Sequence, residues 1–104
     1  MTPNPLPRPL AESPVGVFDS GMGGLSVVRE LVRELPGERI VYCADNLRMP
    51  YGPRPLEEVR RFALEIAEQM LRLPAKAVVI ACNTASASAL KEMRLIWPGR
   101  IFVG

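Results

Sequence analysis

The sequence predicts an α/β fold in which a parallel sheet, in βαβαβαβ order, lies between helices in three layers. Short apolar runs alternate along the chain with longer segments whose apolar residues repeat at helical spacing. Proline and glycine mark most of the junctions between them. Strands that alternate with helices pair in parallel through right-handed crossovers, so their carboxyl ends should meet at one rim of the sheet.

Length and composition restrict the chain to one domain with a modest core. It has 104 residues, of which 48% are hydrophobic, and a net charge of +2 that is spread along the sequence. This charge pattern argues against a nucleic-acid or membrane-surface partner. No stretch is apolar enough to span a bilayer or to act as a secretory signal. Two cysteines without a disulfide framework predict a cytoplasmic protein.

The sequence contains no histidine, which excludes Cys-His and Ser-His catalysis within this chain. The commonest metal ligand is absent for the same reason. Acid–base chemistry here must therefore use carboxylates, thiols, hydroxyls or lysine.

Residues 1–13 are predicted to form a flexible, proline-rich tail. Prolines at positions 3, 5, 7 and 9 permit extended polyproline segments and little else. A ligand for a proline-binding domain is the alternative. The folded lobe is predicted to occupy residues 14–104.

A glycine-rich loop follows the first predicted strand, Val15–Phe18. Residues 19–24 (Asp-Ser-Gly-Met-Gly-Gly) lead into a helix with a helically spaced apolar stripe of Leu25, Val28, Leu31, Val32 and Leu35. Glycine amides at a helix N-terminus can approach an anion closely. Asp19 would repel a phosphate there, but it suits the ammonium group of an amino acid or a proton transfer. A tight turn that needs positive φ is the other explanation for the glycines.

A dinucleotide-binding fold is a rival interpretation of this loop. Gly21, Gly23 and Ser26 half-match its glycine fingerprint, and Asp45 stands at about the expected distance behind the second strand. Against it, Ser26 replaces the third glycine and Asp19 faces the pyrophosphate position. It stays a minor alternative.

The second strand is predicted at Arg39–Ala44, with Cys43 as a core thiol. A loop from Asn46 to Pro55 follows, centred on Pro50-Tyr51-Gly52. Tyr51 could hold its phenol over the strand ends or pack its ring on the core.

The next helix is predicted at Glu57–Leu73. Its buried stripe comprises Val59, Phe62, Ala63, Ile66 and Met70. Glu57 with Arg61, and Glu68 with Arg72, are i,i+4 ion pairs predicted on its solvated face.

The third strand, Ala77–Ala81, is a continuous apolar run that leads directly into Cys82, Asn83 and Thr84. A thiol at a strand end can act as a nucleophile or a base, and the N-terminus of the following helix, predicted at Ala85–Ile96, favours its thiolate. The alternative is a buried cysteine that closes the core. A fourth strand is predicted at Arg100–Val103, so three strands would deliver polar residues to one rim.

At these residues the sequence resembles the glutamate racemase family. Three motifs match in order and spacing: Gly16-Val17-Phe18-Asp19-Ser20-Gly21-x-Gly23-Gly24-Leu25-Ser26-Val27, then Tyr42-x-Ala44-Asp45 with Pro50-Tyr51-Gly52, then Ile80-Ala81-Cys82-Asn83-Thr84-Ala85-Ser86-Ala87. The resemblance that they carry extends over nearly everything from Pro14 to Gly104.

The resemblance implies a two-base racemisation that needs no cofactor and no metal and supplies D-glutamate for bacterial peptidoglycan. One thiolate removes the α-proton of glutamate, and a second thiol returns a proton to the opposite face. Cys82 would be the base for the D-enantiomer, and Asp19 would assist it and contact the substrate ammonium. The implied substrate-lining residues are Ser20, Pro50, Tyr51, Gly52, Asn83 and Thr84. Small-molecule glutamate is the implied partner, with a homodimer as an option for the complete enzyme.

The sequence departs from this family in length. Family members carry a second α/β lobe with the opposing cysteine and a catalytic histidine, so we expect this chain to be the first lobe only and inactive alone. Cys43 lies on the same lobe and is a poor substitute. An aspartate racemase, a single-cysteine decarboxylase, and a non-catalytic module that binds an acidic amino acid or a protein are the competing hypotheses.

Overall fold

A computed structural model of the chain describes residues 12–21 and 24–104. The tail predicted for residues 1–13 lies outside this part except for its last two residues, and Gly23 of the glycine loop lies outside it as well. Seven elements follow in the predicted order: β1 (Val15–Asp19), α1 (Gly24–Glu34), β2 (Ile40–Ala44), α2 (Leu56–Arg72), β3 (Ala77–Ile80), α3 (Asn83–Ile96) and β4 (Ile101–Val103).

The four strands form one parallel sheet in the order β2-β1-β3-β4. The chain moves outward from β1 to β2 and then crosses back over β1 to reach β3. Because these crossovers are right-handed, α1 lies on one face of the sheet while α2 and α3 lie on the other. The predicted α/β fold with three layers is therefore confirmed.

The main core lies between the sheet and the pair α2 and α3. All five residues of the predicted α2 stripe are buried, which confirms that prediction. The sheet contributes Phe18, Val78, Ile80 and Phe102 to the same core. At Gly16 a Cβ atom would stand 2.7 Å from the Met70 sulfur, so the missing side chain lets β1 approach α2 closely.

The face that carries α1 is only partly covered. Leu25 and Val32 of the α1 stripe are 59% and 52% exposed. Ile101 and Val103 of β4 alternate with buried Phe102 and are also exposed. The physical reason is that α1 packs mainly on β1 and β2, and no other helix covers this face within residues 12–21 and 24–104. The stripe predicted from periodicity is thus largely unused for packing.

Two local predictions need correction. The third helix begins at Asn83 rather than Ala85, because Cys82 has extended backbone dihedrals and its side chain caps the helix. Arg72 pairs with Glu68 at 2.7 Å as predicted. Glu57, however, pairs with Arg60 at 2.5 Å rather than with Arg61, so that ion pair was wrong. Among the described residues, no helix is both long and apolar enough to cross a bilayer.

Candidate active site

The carboxyl ends of β1, β2 and β3 meet at one rim of the sheet. Ala81 donates its amide hydrogen to the carbonyl of Phe18 at 2.7 Å, and Asp45 donates its amide hydrogen to the carbonyl of Asp19 at 2.9 Å. These two bonds continue the ladders of the central strand β1 past its regular pairing. Asp19, Asp45 and Cys82 therefore stand at neighbouring positions on the rim, as the topology predicts.

Asp19 is the buried carboxylate of this rim. Its residue is 4% exposed, and its Oδ1 accepts the amide hydrogen of Ser20 at 2.8 Å. The side chain of Ser20 is half-buried. This bond keeps Ser20 next to the carboxylate at the end of β1, where both could face a ligand.

The backbone that follows Ser20 is fixed by Tyr42 of β2. The Tyr42 hydroxyl donates to the Gly21 carbonyl at 2.9 Å. Burial, the charge of Asp19 and the nearby Cys43 raise the pKa of Tyr42, so the hydroxyl keeps its proton and remains a donor. Gly21 does not have a positive φ, so the tight-turn explanation fails for this glycine, while Gly23 lies outside the described residues.

Cys82 lies at the junction of β3 and α3. The residue is 8% exposed and its thiol is free. Its Sγ accepts the amide hydrogen of Ala85 at 3.5 Å, and its carbonyl accepts that of Ser86 at 2.9 Å. The sulfur therefore contacts the amino end of α3, where unpaired amides favour negative charge. Cys82 is packed against the core as well. Its surroundings therefore combine the helix N-terminus expected of a reactive thiol with the core contacts expected of a buried cysteine.

Asn83 and Thr84 form the first turn of α3. Asn83 is exposed and Thr84 is half-buried. They follow Cys82 directly, at the amino end of α3. Within the described part of the chain, no group of three or more His, Cys, Asp or Glu side chains is arranged to hold a metal ion.

Cys43 lies one residue before the end of β2 and faces α2. It pairs in register with Phe18, and strand alternation therefore points it toward α2, while Asp19 points to the opposite face. Its thiol lines a small cavity of about 120 Å³ beside Met70 and Leu73. Burial raises the pKa of Cys43, the charge of Asp45 adds to that effect, and Arg48 opposes it.

We expect alkylation at neutral pH to modify Cys82 faster than Cys43. The raised pKa of Cys43 leaves little of the reactive thiolate, whereas the Cys82 sulfur already accepts a backbone amide hydrogen. Iodoacetamide labelling followed by mass spectrometry measures both sites, with Cys43→Ser and Cys82→Ser as matched controls. Labelling of Cys43 should increase only above pH 9.0, the ordinary pKa of a cysteine thiol, because the pKa of Cys43 is raised above that value. Faster labelling of Cys43 at neutral pH would contradict the assignment.

The loop around Tyr51 is anchored in the core. Tyr51 is 1% exposed, and its ring lies 6.1 Å from the ring of Phe18 and 5.8 Å from that of Phe62. The ring therefore packs on the core, as one alternative predicted, while the hydroxyl bonds Asp45 at the end of β2. Pro50 and Gly52 on either side are exposed, so the loop presents its backbone at the surface rather than the tyrosine ring.

Asp45 holds the tyrosine hydroxyl, a role that the sequence does not predict. Its Oδ2 accepts hydrogen bonds from the hydroxyl of Tyr51 and from the Nε of Arg48. In the dinucleotide interpretation this carboxylate would bind a ribose, and these two internal donors disfavour that use. The only signal in the sequence was the spacing of Asp45, Arg48 and Tyr51 at three-residue intervals within one loop.

Comparison with known proteins gives a consistent result. No family model matches the chain. The glutamate racemase of Bacillus cereus is 58% identical over 80 residues, which make up 77% of this chain and 30% of that protein. The glutamate racemase of Staphylococcus epidermidis is 52% identical over 85 residues, or 82% of this chain and 32% of that protein. This chain therefore spans about 30% of the length of the curated relatives it matches.

Solved structures agree with the sequence comparison. The glutamate racemase of Thermus thermophilus, crystallised with β-chloro-D-alanine, superposes with a TM-score of 0.85 at 49% identity, covering 88% of this chain and 36% of that one. The glutamate racemase of Francisella tularensis, crystallised with D-glutamate, gives a TM-score of 0.84 at 39% identity, covering 88% of this chain and 35% of that one. The described lobe thus has the fold of one part of these longer proteins.

Proposed function

We propose that the rim of this chain forms one half of a site that interconverts L- and D-glutamate, because the chain belongs to the glutamate racemase family over the residues that align. The observation that carries the proposal is the presence of a free thiol and a buried carboxylate at the ends of two adjacent strands. Cys82 and Asp19 stand at the ends of the adjacent strands β3 and β1. This arrangement supplies a proton acceptor and a partner for an ammonium group on one side of a substrate.

In the proposed reaction the Cys82 thiolate removes the α-proton of glutamate. The C–H electron pair stays on the α-carbon, which becomes carbanion-like, and the sulfur becomes a thiol. A proton delivered to the opposite face by a second acid completes the inversion. The α-proton is a very weak acid, so donors that stabilise the developing charge are needed. Asn83, Thr84 and the amides of the first α3 turn are the candidates in this chain.

Asp19 is proposed to bind the substrate ammonium. Its buried side chain is held in place by the Ser20 amide, so it does not need to be ordered when the substrate arrives. Ser20 would add a hydroxyl at the same end of β1. A positive ammonium group beside the carboxylate would also bring the α-carbon toward the neighbouring strand end, where Cys82 stands.

The loop at Pro50, Tyr51 and Gly52 is proposed to receive the substrate through its backbone. A Cβ atom at Gly52 would meet no heavy atom within 4 Å, so the space above this glycine is open. Tyr51 would act as the anchor of the loop, because its ring is buried. The family resemblance is what assigns this loop to the substrate.

The proposed role also includes a metabolic setting. D-Glutamate made by such an enzyme would supply bacterial peptidoglycan, as the resemblance implies. A cytoplasmic location is supported by the two cysteines, both of which are free. The homodimer stays a prediction.

We expect the rim to bind glutamate better than aspartate, which tests the proposed substrate. A site that fixes both carboxylates and the ammonium loses contacts when the chain is one methylene shorter, an effect of roughly tenfold in affinity. Protection of Cys82 against iodoacetamide by each amino acid measures the preference in this chain. Asp19→Asn should abolish the protection, and the surface variant Arg33→Ala is the matched control, since Arg33 is exposed on α1. Equal protection by both amino acids would contradict the proposal.

A further inference from the structure

The loop between β2 and α2 is held by an arginine that the proposed mechanism does not use. Arg48 donates from its Nε to the Oδ2 of Asp45 at 2.7 Å and from its Nη1 to the Oε2 of Glu65 at 3.1 Å. Its guanidinium carbon also lies 3.9 Å from the centroid of the Phe62 ring. One side chain thus connects the start of the loop to two residues of α2.

Tyr51 is bound through the same two partners. Its hydroxyl donates to the carboxylate oxygen of Asp45 that Arg48 also contacts, and its ring packs against Phe62. The side chain of Asp45 is only 10% exposed, so water screens this shared carboxylate weakly. Without the guanidinium, the carboxylate would keep the phenol as a partner but lose its ion pair and its connection to α2.

A second arginine closes the loop from the other end. Arg54 donates from its Nε to the carbonyl of Arg48 at 2.8 Å and from its amide to the carbonyl of Tyr51 at 3.0 Å. Its Nη1 donates to Glu58 of α2 at 2.6 Å. The backbone on both sides of Pro50 and Gly52 is thereby tied to one helix at two points, Glu58 and Glu65.

We infer that Arg48 is a positioning residue that fixes the Pro50-Tyr51-Gly52 loop for the substrate. Its effect on glutamate rests on the proposed function, whereas its effect on the loop does not. A loop that is already ordered binds without the entropic penalty of ordering it, so Arg48 would act on substrate affinity through Tyr51 and not by touching the substrate. Arginine suits this task because its planar group makes two divergent hydrogen bonds and stacks on a ring, which lysine cannot reproduce.

The test compares Arg48→Ala and Arg48→Lys with the control Arg72→Ala in the 104-residue chain. Arg72 pairs with Glu68 on the exposed face of α2, so the control removes an equally charged side chain far from the loop. Two quantities are measured: hydrogen exchange of the Arg54 amide, which reports loop opening, and protection of Cys82 by D-glutamate. Losing a charged hydrogen bond changes such equilibria by roughly tenfold or more.

For Arg48→Ala we expect the Arg54 amide to exchange about tenfold faster and the D-glutamate concentration that protects Cys82 to rise by a similar factor. The amides of Ala63 and Ala67 inside α2 should exchange as in the unmodified chain. Arg48→Lys should give a smaller change of both quantities, and Arg72→Ala should change neither.

Unchanged Arg54 exchange in both Arg48 variants would overturn the inference, as would equal acceleration in the loop and throughout α2. If Arg48→Ala does not fold, the lysine variant decides by the same two criteria. Should the unmodified chain show no protection by glutamate, the proposed function fails, and faster Arg54 exchange alone would still support the loop-positioning role of Arg48.

Discussion

The 104-residue chain incubated with D-glutamate is expected to show no racemisation at an enzymatic rate. Inversion needs one group to remove a proton from one face of the α-carbon and another group to return a proton to the opposite face. The sequence has two thiols and no histidine, and of these thiols only Cys82 lies at the rim. Cys43 lies in the same sheet as Cys82, beside α2, so it would not stand across a bound substrate from Cys82. It cannot serve the second face.

The expected loss is large because paired catalytic groups act as a unit. Removing one member of such a unit typically lowers the rate by about 10⁴-fold or more. The exposed positions of Pro50, Gly52 and Asn83 would also let water reach the reacting atoms. Water raises the local dielectric and so weakens the interactions that stabilise a carbanion.

The measurement follows α-proton exchange and optical rotation separately in deuterated water. A single thiol can at most exchange the α-proton with retention, so any exchange should proceed without loss of rotation. Cys82→Ser should remove that exchange, and Cys43→Ser should leave it intact. Racemisation that survives Cys43→Ser but not Cys82→Ser would contradict the prediction and would mean that a second copy or another surface supplies the missing acid.

The element order was predictable because each signal is local. Apolar residues at helical spacing in α2 predicted its buried face, and the continuous apolar run of β3 predicted a covered parallel strand. The meeting of Asp19 and Cys82 at one rim followed from topology alone, since parallel strands end at the same edge. These features require no knowledge of which distant side chains touch.

The errors arise where individual side-chain contacts and the surrounding layers decide. The start of α3 depended on the Cys82 sulfur accepting the Ala85 amide hydrogen, which no propensity predicts for cysteine. The stripe of α1 had the right period, but its burial required a covering layer that periodicity cannot supply.

The anchoring of Tyr51 could not be derived from its own segment either. Its ring partners, Phe18 and Phe62, come from β1 and α2. Arg48 looked like an ordinary loop arginine because its partner Glu65 lies 17 residues further along the chain. Local sequence patterns thus determine the order of elements, whereas contacts between different elements support the candidate site.

The chain is expected to lose stability steeply above pH 10 because of Tyr51. Burial raises the pKa of its hydroxyl well above the ordinary value of 10.0, and the hydrogen bond to Asp45 and the charge of Asp45 raise it further, against an opposing effect of Arg48. Above pH 10.0 the unfolded chain releases this proton while the folded chain keeps it. The folded state then binds more protons, so the free energy of unfolding falls by up to ~1.4 kcal/mol for each further pH unit. Below that pH the contribution is fully present.

Urea unfolding followed between about pH 9 and about pH 11.5 measures this slope, and Tyr51→Phe removes the titrating group while keeping the ring. The variant should be less stable by about 1 kcal/mol at neutral pH, where it lacks the bond to Asp45, yet should fall less steeply above pH 10.0. Tyr42→Phe is the matched control, because that phenol also has a raised pKa but bonds the Gly21 carbonyl and not Asp45. The Tyr42→Phe variant should still show the fall in the free energy of unfolding above pH 10.0 that the titration of Tyr51 causes. Identical slopes in the unmodified chain and Tyr51→Phe would show that this phenol titrates alike in the folded and unfolded states, and the anchor at Asp45 would then be too weak to hold the loop.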